Sequence, residues 1–324
     1  MMFRTTLTSH RSKHPITLKH RLLTAGSCFA ESIGNKLSES KFTCATNPFG
    51  VIYNPHSIHK ALRYAIHNQV PPDHTYLESQ GINLNYDFHS SVGALNPAEL
   101  KKNLADTIRT THSFLKNTSW LMITYGTSWV YFRKETGDIV ANCHKMPSAL
   151  FQKELFTQKK LLESFESFYK DLLAFNPDIR IILTVSPVRH LNDSLELNSV
   201  SKAILRIGCH TLSEGFNRVH YFPAFELMMD DLRDYRFYKA DMIHPSAEAE
   251  KYIWEYFAES YFDEPTQKFV TEWRSLLQAL QHKPFHTASP AHQQFIKETL
   301  KKMESFNSLV NVDAEVEQLK KQLV

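Results

Sequence analysis

The sequence predicts an α/β protein built on a parallel, doubly wound sheet, and three observations carry that expectation. Short apolar runs alternate with amphipathic helical patterns up to about residue 262. One of those runs, "IRIILTVSP", is a continuous buried-strand stretch. The segment "TAGSCFA" at 24–30 joins an apolar run directly to a helical pattern through glycine and serine. In sheets of this kind, ligands bind beyond the carboxyl ends of the strands, so candidate residues are sought there.

In chain order, "RLLTAG" reads as a strand and "CFAESIGNKLSES" as the helix after it. "PHSIHKALRYAIH" and "NPAELKKNLADTIRTTHSFL" are further helices, the second opened by Asn96 as a cap and Pro97 in the first turn. "SWLMITYG" is a short apolar run ending in glycine, and "WVYFRKETGDIVANCH" a hairpin around Thr136-Gly137-Asp138. The helix "QKKLLESFESFYKDLLAFN" stops at Asn176-Pro177 and leads into the buried strand. A helix near "SVSKAILRIGCHTLSEGF", the strand "RVHYFP" and a helix over 246–260 complete the alternation.

Residues 1–262 therefore read as one domain, and 263–324 as a helical C-terminal extension. Pro265, Pro284 and Pro290 punctuate the extension, while Phe269, Trp273, Leu276, Leu277 and Leu280, then Val312, Val316, Leu319 and Leu323, keep helical spacing. Such stripes suit packing on the main domain. The alternative is a partner surface, including a homo-oligomer formed through the C-terminal helices.

Composition narrows the classes. With 324 residues, 42% hydrophobic and 22% charged, the chain reads as globular. A net charge of +3 without a dense Lys/Arg run argues against a nucleic-acid partner. The amino-terminal segment lacks an apolar signal region, and no run of about 18 apolar residues occurs. The expectation is a cytoplasmic protein with no membrane partner. Cys28, Cys44, Cys143 and Cys209 form no C-x-x-C pair, which fits reduced thiols. No H-E-x-x-H motif appears, and neither a metal nor another cofactor is implied.

A serine needs a base, a group to orient that base, and N–H donors for the oxyanion before it becomes a useful nucleophile. Ser27 follows Gly26 at the expected strand-to-helix turn, where the first helical N–H groups are free. In "KADMIHPS", Asp241 and His244 stand three apart ahead of a helix that Pro245 can begin. One loop can thus hand a carboxylate to an imidazole. The plainer reading makes Asp241 a helix cap and His244 a surface histidine. Cys28 is a rival nucleophile, since a thiolate at a helix start has a lowered pKa. Adjacent helical residues point about 100° apart, so Ser27 and Cys28 cannot both face one base.

The stretches "GSCFAESIGNKL", "NPFGVIYNP", "ITYGTSWVY", "VANCHKMP", "TVSPVRH", "NSVSKAIL" and "YFPAFELMMDDLRDYRFYKADMIHPS" resemble the GSCFA family. That family is similar to the wider SGNH or GDSL hydrolases. The resemblance runs from about residue 20 to 262 and implies a flavodoxin-like three-layer α/β/α sandwich with a parallel sheet. It also implies a serine-dependent esterase or acyltransferase acting on a small-molecule or carbohydrate ester. By it, Ser27 corresponds to the nucleophile, His244 to the base and Asp241 to its orienter.

In the same pattern the oxyanion hole takes the nucleophile's own N–H, a second-block glycine, here Gly50, and a third-block asparagine. The chain departs at the third block: "YGTSW" offers Gly126, Thr127 and Ser128, with Ser128 where asparagine is expected. Asn142, His144 and His190 are the candidates to fill that gap. The missing asparagine also supports a rival from another class, a catalytically weak scaffold that uses its helical tail to engage a partner.

Overall fold

The apolar runs of the sequence become the strands of one sheet in a computed structural model that describes residues 5–282 and 285–323. Chain order gives β1 (Arg21–Gly26), α1 (Cys28–Glu39), β2 (Thr43–Thr46), α2 (Pro55–His67), β3 (Tyr76–Ser79), β4 (Ile82–Asn85), α3 (Pro97–Leu115) and β5 (Trp120–Tyr125). Then come β6 (Trp129–Arg133), β7 (Ile139–Val140), β8 (Phe151–Leu155), α4 (Gln158–Phe175), β9 (Arg180–Val185), α5 (Leu195–Gly215) and β10 (Val219–Tyr221). The short α6 (Ala224–Glu226) and α7 (Ala247–Tyr261) follow, and α8 (Glu264–Gln281), α9 (Pro290–Glu304) and α10 (Asp313–Lys320) end the chain.

The strand order is β10-β9-β5-β1-β2, with β1, β5, β9 and β10 paired in parallel. Numbered along the chain, the sheet strands run 2-1-3-4-5 from the β2 edge, the doubly wound, flavodoxin-like order. Every residue of β5 is buried, as are all but the first of β1 and β9, because helices flank the sheet. The order in which strands are added to the sheet reverses between β1 and β5. The crevice for a ligand opens at their carboxyl ends.

The expected hairpin pairs Tyr131 with Val140 and Phe132 with Ile139, and Gly137 takes a left-handed φ of 74° in its turn. The structure adds β8 to this pair and a second hairpin, β3–β4, neither predicted from sequence. That second turn uses left-handed Gln80 and Gly81, with φ of 54° and 77°.

The chain divides into two compact units. The first is built mainly of His20–Lys36 and Cys44–Glu255, and the second of Ser9–Lys19, Leu37–Thr43 and Tyr256–Val324. The domain boundary read at residue 262 compares with a division between Glu255 and Tyr256, and two earlier segments join the helical unit. Within that unit Trp273 is buried, donates from Nε1 to the Glu39 carbonyl at 2.8 Å and lies under the Lys41 ammonium. Lys41 also pairs with Glu315 at 2.7 Å. Phe269, Leu276, Leu280, Val312, Val316 and Leu319 are buried as their spacing predicts, whereas Leu323 is exposed. No helix among the described residues is long and apolar enough to cross a membrane.

Candidate active site

β1 ends where its backbone presses on β5. A Cβ at Gly26 would sit 2.2 Å from the Thr124 carbonyl oxygen, and Gly26 has φ of 134°, so only glycine fits. The next amide, Ser27 N–H, donates to that carbonyl at 3.1 Å. The Ser27 hydroxyl accepts from Phe29 N–H at 3.3 Å, and the residue is fully buried. Ser27 thus acts as the N-cap of α1. The side chain with open surface here is Cys28, the first residue of the helix. Ser27 N–H is thus engaged by β5, and its buried hydroxyl accepts the capping hydrogen bond of α1.

The N–H groups of Cys28 and Phe29 face the Cys28 thiol. Burial pushes the thiol up from its ordinary pKa, while these amides and the Lys202 ammonium pull it back down. Ser32, one turn further along the same face of α1, donates to Glu250 of α7 at 3.0 Å, and Lys239 pairs with Glu250 at 3.6 Å. The exposed face of α1 therefore adjoins the loop that precedes α7.

That loop is closed by a bridge between Tyr238 and Pro245, by Lys239 N–H on the His244 carbonyl at 2.8 Å, and by left-handed Met242. Asp241 accepts from the amides of Ile243 and His244 at 2.9 and 3.0 Å and from His244 Nδ1 at 2.7 Å. Those two amides and the imidazole hold its carboxyl down at about 2. With Nδ1 committed to the carboxylate, Nε2 is the free nitrogen of His244; among the described residues it makes no hydrogen bond. The Asp–His pair that the sequence suggests is formed.

A polar stripe on α5 ties the neighbouring loops together. Asn198, Ser201, Lys202, Leu205 and Cys209 share its buried face. Asn198 Oδ1 accepts from His190 N–H at 3.0 Å, and Ser201 Oγ accepts from Ser128 N–H at 2.8 Å. Lys202, 2% exposed, donates to the carbonyls of Gly126 and Ser186 at 2.8 and 2.7 Å, just past the ends of β5 and β9. The loop after β9 reaches the Asp241 loop through Arg189 N–H on the Ile243 carbonyl at 3.2 Å. Asn198, Ser201 and Lys202 are not among the site candidates read from sequence. A lysine in line with Leu205 and Cys209 on an apolar face was the available signal.

His190 stands edge-on to Tyr53 with ring centres 4.9 Å apart, and its Nε2 is buried without a partner among the described residues. A Cβ on Gly126 would lie 3.1 Å from that nitrogen. Burial, reinforced by the charges of Lys202 and His244, pushes His190 down to about 3, so it is neutral. Tyr53 in turn feels the charges of Cys28 and Glu31. Tyr53 and His190 are thus in contact, and the charges of Lys202 and His244 reach the His190 ring.

The other expected oxyanion donors, Ser128 excepted, are committed elsewhere. Gly50 N–H closes a turn on the Asn47 carbonyl at 2.8 Å, and the amides of Gly126 and Thr127 both donate to the Tyr53 carbonyl. Ser128 is fully buried and its hydroxyl has no partner among the described residues. Asn142 and His144 belong to another cluster: His144 uses Nδ1 with Ser90 at 3.0 Å and Nε2 with the Asn85 carbonyl at 2.8 Å, and Asn142 binds Ser90 and the His144 amide. A separate cavity of about 680 Å³, lined among others by His56, His59, Arg63, Phe132 and Phe156, contains none of the strand-end residues. Among the described residues no group of three or more acidic, His or Cys side chains is placed to hold a metal ion.

A central parallel sheet in flavodoxin-like order, flanked by helices, defines an α/β protein. The chain belongs to the GSCFA family, which it matches over residues 21–257, and it matches the C-terminal domain of GSCFA domain proteins over 273–324. No curated protein sequence matches it. Among solved structures it is similar to a carbohydrate esterase family 3 protein from Talaromyces cellulolyticus, at 8% identity and a TM-score of 0.35, covering 79% of this chain and 99% of that one. It is also similar to the acetyl xylan esterase Est2A from Butyrivibrio proteoclasticus, at 9% identity and a TM-score of 0.35, covering 81% of this chain and 66% of that one.

Proposed function

We propose that the protein is an acyl hydrolase or acyltransferase acting on an ester-linked acyl group through a covalent thioester, with Cys28 as nucleophile in place of the serine first expected. One observation carries the reading: at the helix start Cys28 is the partly exposed nucleophilic side chain, while the hydroxyl of Ser27 is buried and capping. His244 Nε2 takes the thiol proton as the sulfur attacks the ester carbonyl carbon, and Asp241 holds the imidazole by its Nδ1–H. Collapse of the tetrahedral intermediate expels the alkoxide, which recovers the proton from His244. Water or an acceptor alcohol then attacks the thioester, giving its proton to His244 and freeing the sulfur.

The oxyanion is held by the Cys28 amide at the helix start, and the partnerless Nε2 of neutral His190 takes the part of the missing asparagine. Acetyl on a carbohydrate is the substrate to test first. The committed amides of Gly50, Gly126 and Thr127 favour a second reading, a weakly catalytic scaffold engaging a partner through residues 263–324.

The deciding experiment treats the purified full-length protein with iodoacetamide and with a fluorophosphonate, maps each adduct, and follows p-nitrophenyl acetate hydrolysis. The proposal requires that Cys28 alkylation, and Cys28→Ala, each stop turnover. A fluorophosphonate adduct on Ser27, with turnover surviving in Cys28→Ala, returns the nucleophile to Ser27. Absence of turnover on any acyl ester while Cys28 stays reactive supports the scaffold.

A further inference from the structure

The loop after β9 carries an arginine whose charge the fold leaves unmatched. Arg189 N–H donates to the Ile243 carbonyl at 3.2 Å, and its Nη1 donates to the Met242 carbonyl at 3.4 Å. Met242 and Ile243 immediately precede His244, so the arginine borders the Asp241–His244 pair through two direct contacts. Its guanidinium carbon lies 4.0 Å from the centre of the Tyr238 ring and 5.3 Å from that of Tyr235. No carboxylate pairs with it among the described residues, whereas Arg63, Arg133 and Arg206 each meet one at 2.5 to 2.7 Å.

Holding the two loops together does not require that charge. The backbone bond to Ile243 already joins them, and the contact to Met242 uses one of the five guanidinium donors. The others are open. A ring beneath a guanidinium fixes its place while its N–H edges remain available for a bidentate partner, which is how arginine recognises carboxylate and phosphate.

The space in front of it has the right size and charge. Arg189, Tyr235 and Tyr238 line a cavity of about 130 Å³ together with Met228, Leu232 and Arg233. About four water volumes fit there, room for one functional group of a larger ligand. Arg233 is exposed and makes no ion pair among the described residues. Asp234 is the one carboxylate on the wall, and it is engaged by Arg236, accepting from its N–H at 2.9 Å and lying 3.7 Å from its Nε. Two cations thus face a space whose single acid already has a partner.

We propose that Arg189 binds an anionic group of the substrate, a carboxylate or a phosphate, and so selects acidic esters. This deepens the reading given above and rests on one part of it, the Asp241–His244 pair as the base; whether sulfur or hydroxyl attacks does not enter. An acetylated uronic acid or an acetylated sugar phosphate carries both the ester and the anion.

The test compares two esters that differ in charge, 4-acetoxybenzoate and its methyl ester, on the full-length protein and on Arg189→Gln, whose amide can still donate to Met242. In the variant KM for 4-acetoxybenzoate should rise about ten- to a hundredfold, the usual worth of hydrogen bonds to a charged group, with kcat nearly unchanged. The methyl ester should keep both constants within about twofold, which also shows that the variant is folded. Arg189→Lys should recover part of the loss. A larger effect on 4-acetoxyphenyl phosphate than on 4-acetoxybenzoate identifies the anion as phosphate, and the reverse identifies carboxylate. Equal changes on charged and neutral esters, or none on either, overturn the proposal.

Should neither protein turn over any ester, calorimetric titration with 4-hydroxybenzoate and with inorganic phosphate decides separately. Binding of either anion that weakens about tenfold or more in Arg189→Gln keeps the anion site while the hydrolase reading falls. Equal binding to both proteins, or none to either, rejects the site itself.

Discussion

Two polar loop clusters of the first unit differ in how fully they spend their hydrogen bonds. Around His144, both ring nitrogens, the backbone amide and both ends of the Asn142 amide group find protein partners. Around Lys202 and His244, by contrast, His190 Nε2 is buried alone, His244 Nε2 makes no hydrogen bond among the described residues, and a buried ammonium has only carbonyls. A cluster that completes itself holds a loop in place. One that leaves costly groups incomplete gains from a ligand or a charge that forms during reaction.

The widest separation between the clusters should come from the nucleophile. Cys28→Ala is expected to lower p-nitrophenyl acetate turnover by about 10³-fold or more, as loss of a covalent nucleophile does elsewhere. Ser27→Ala should instead cost about 1 kcal/mol of stability through the lost cap, measured by urea denaturation, with turnover kept within about tenfold. Equal losses of turnover from the two variants would erase the distinction between capping hydroxyl and reacting thiol.

His244→Ala should follow, at about 10²–10⁴-fold, the usual worth of a general base. Asp241→Asn should cost less, about 10²-fold, because the pair lies at the surface where water can take over part of the orienting role. Steady-state kinetics on acyl esters reads both.

Stability against pH sharpens the contrast from the lysine side. Lys202 sits at about 7 in the folded chain against an ordinary 10.5. Between those values the unfolded chain binds more protons, so folding stability climbs as pH rises from about 7 to 10.5 and is lost as pH falls back toward 7. Lys202→Met should flatten that part of the curve in denaturant titrations. The smallest effect on chemistry belongs to the completed cluster: His144→Ala should cost about 1–3 kcal/mol of stability and leave turnover within about twofold.

The sheet was legible because its central strands are nearly unbroken apolar runs, and burial on both faces demands such runs. The hairpin β3–β4 was not, since its turn is Gln80-Gly81 in place of a familiar Asn-Gly and half of its strand residues are polar. Strand β8, "FQKEL", hides for the same reason. At the site, Asp241 and His244 could be paired from spacing on one loop. The burial of Ser27 as the cap of α1 could not be read, because it depends on how the chain packs against the Thr124 carbonyl of the neighbouring strand. Lys202 escaped notice because a helical lysine ordinarily reads as solvated, and only the depth of α5 makes it otherwise.

The stripe Asn198–Ser201–Lys202 fastens the loop after β5 and the loop after β9 to a single turn of α5. Fraying of that turn would release both walls of the crevice in concert. Amide hydrogen exchange at Ser128 and His190 should then accelerate together on warming, and the protein would stop working while its sheet was still intact.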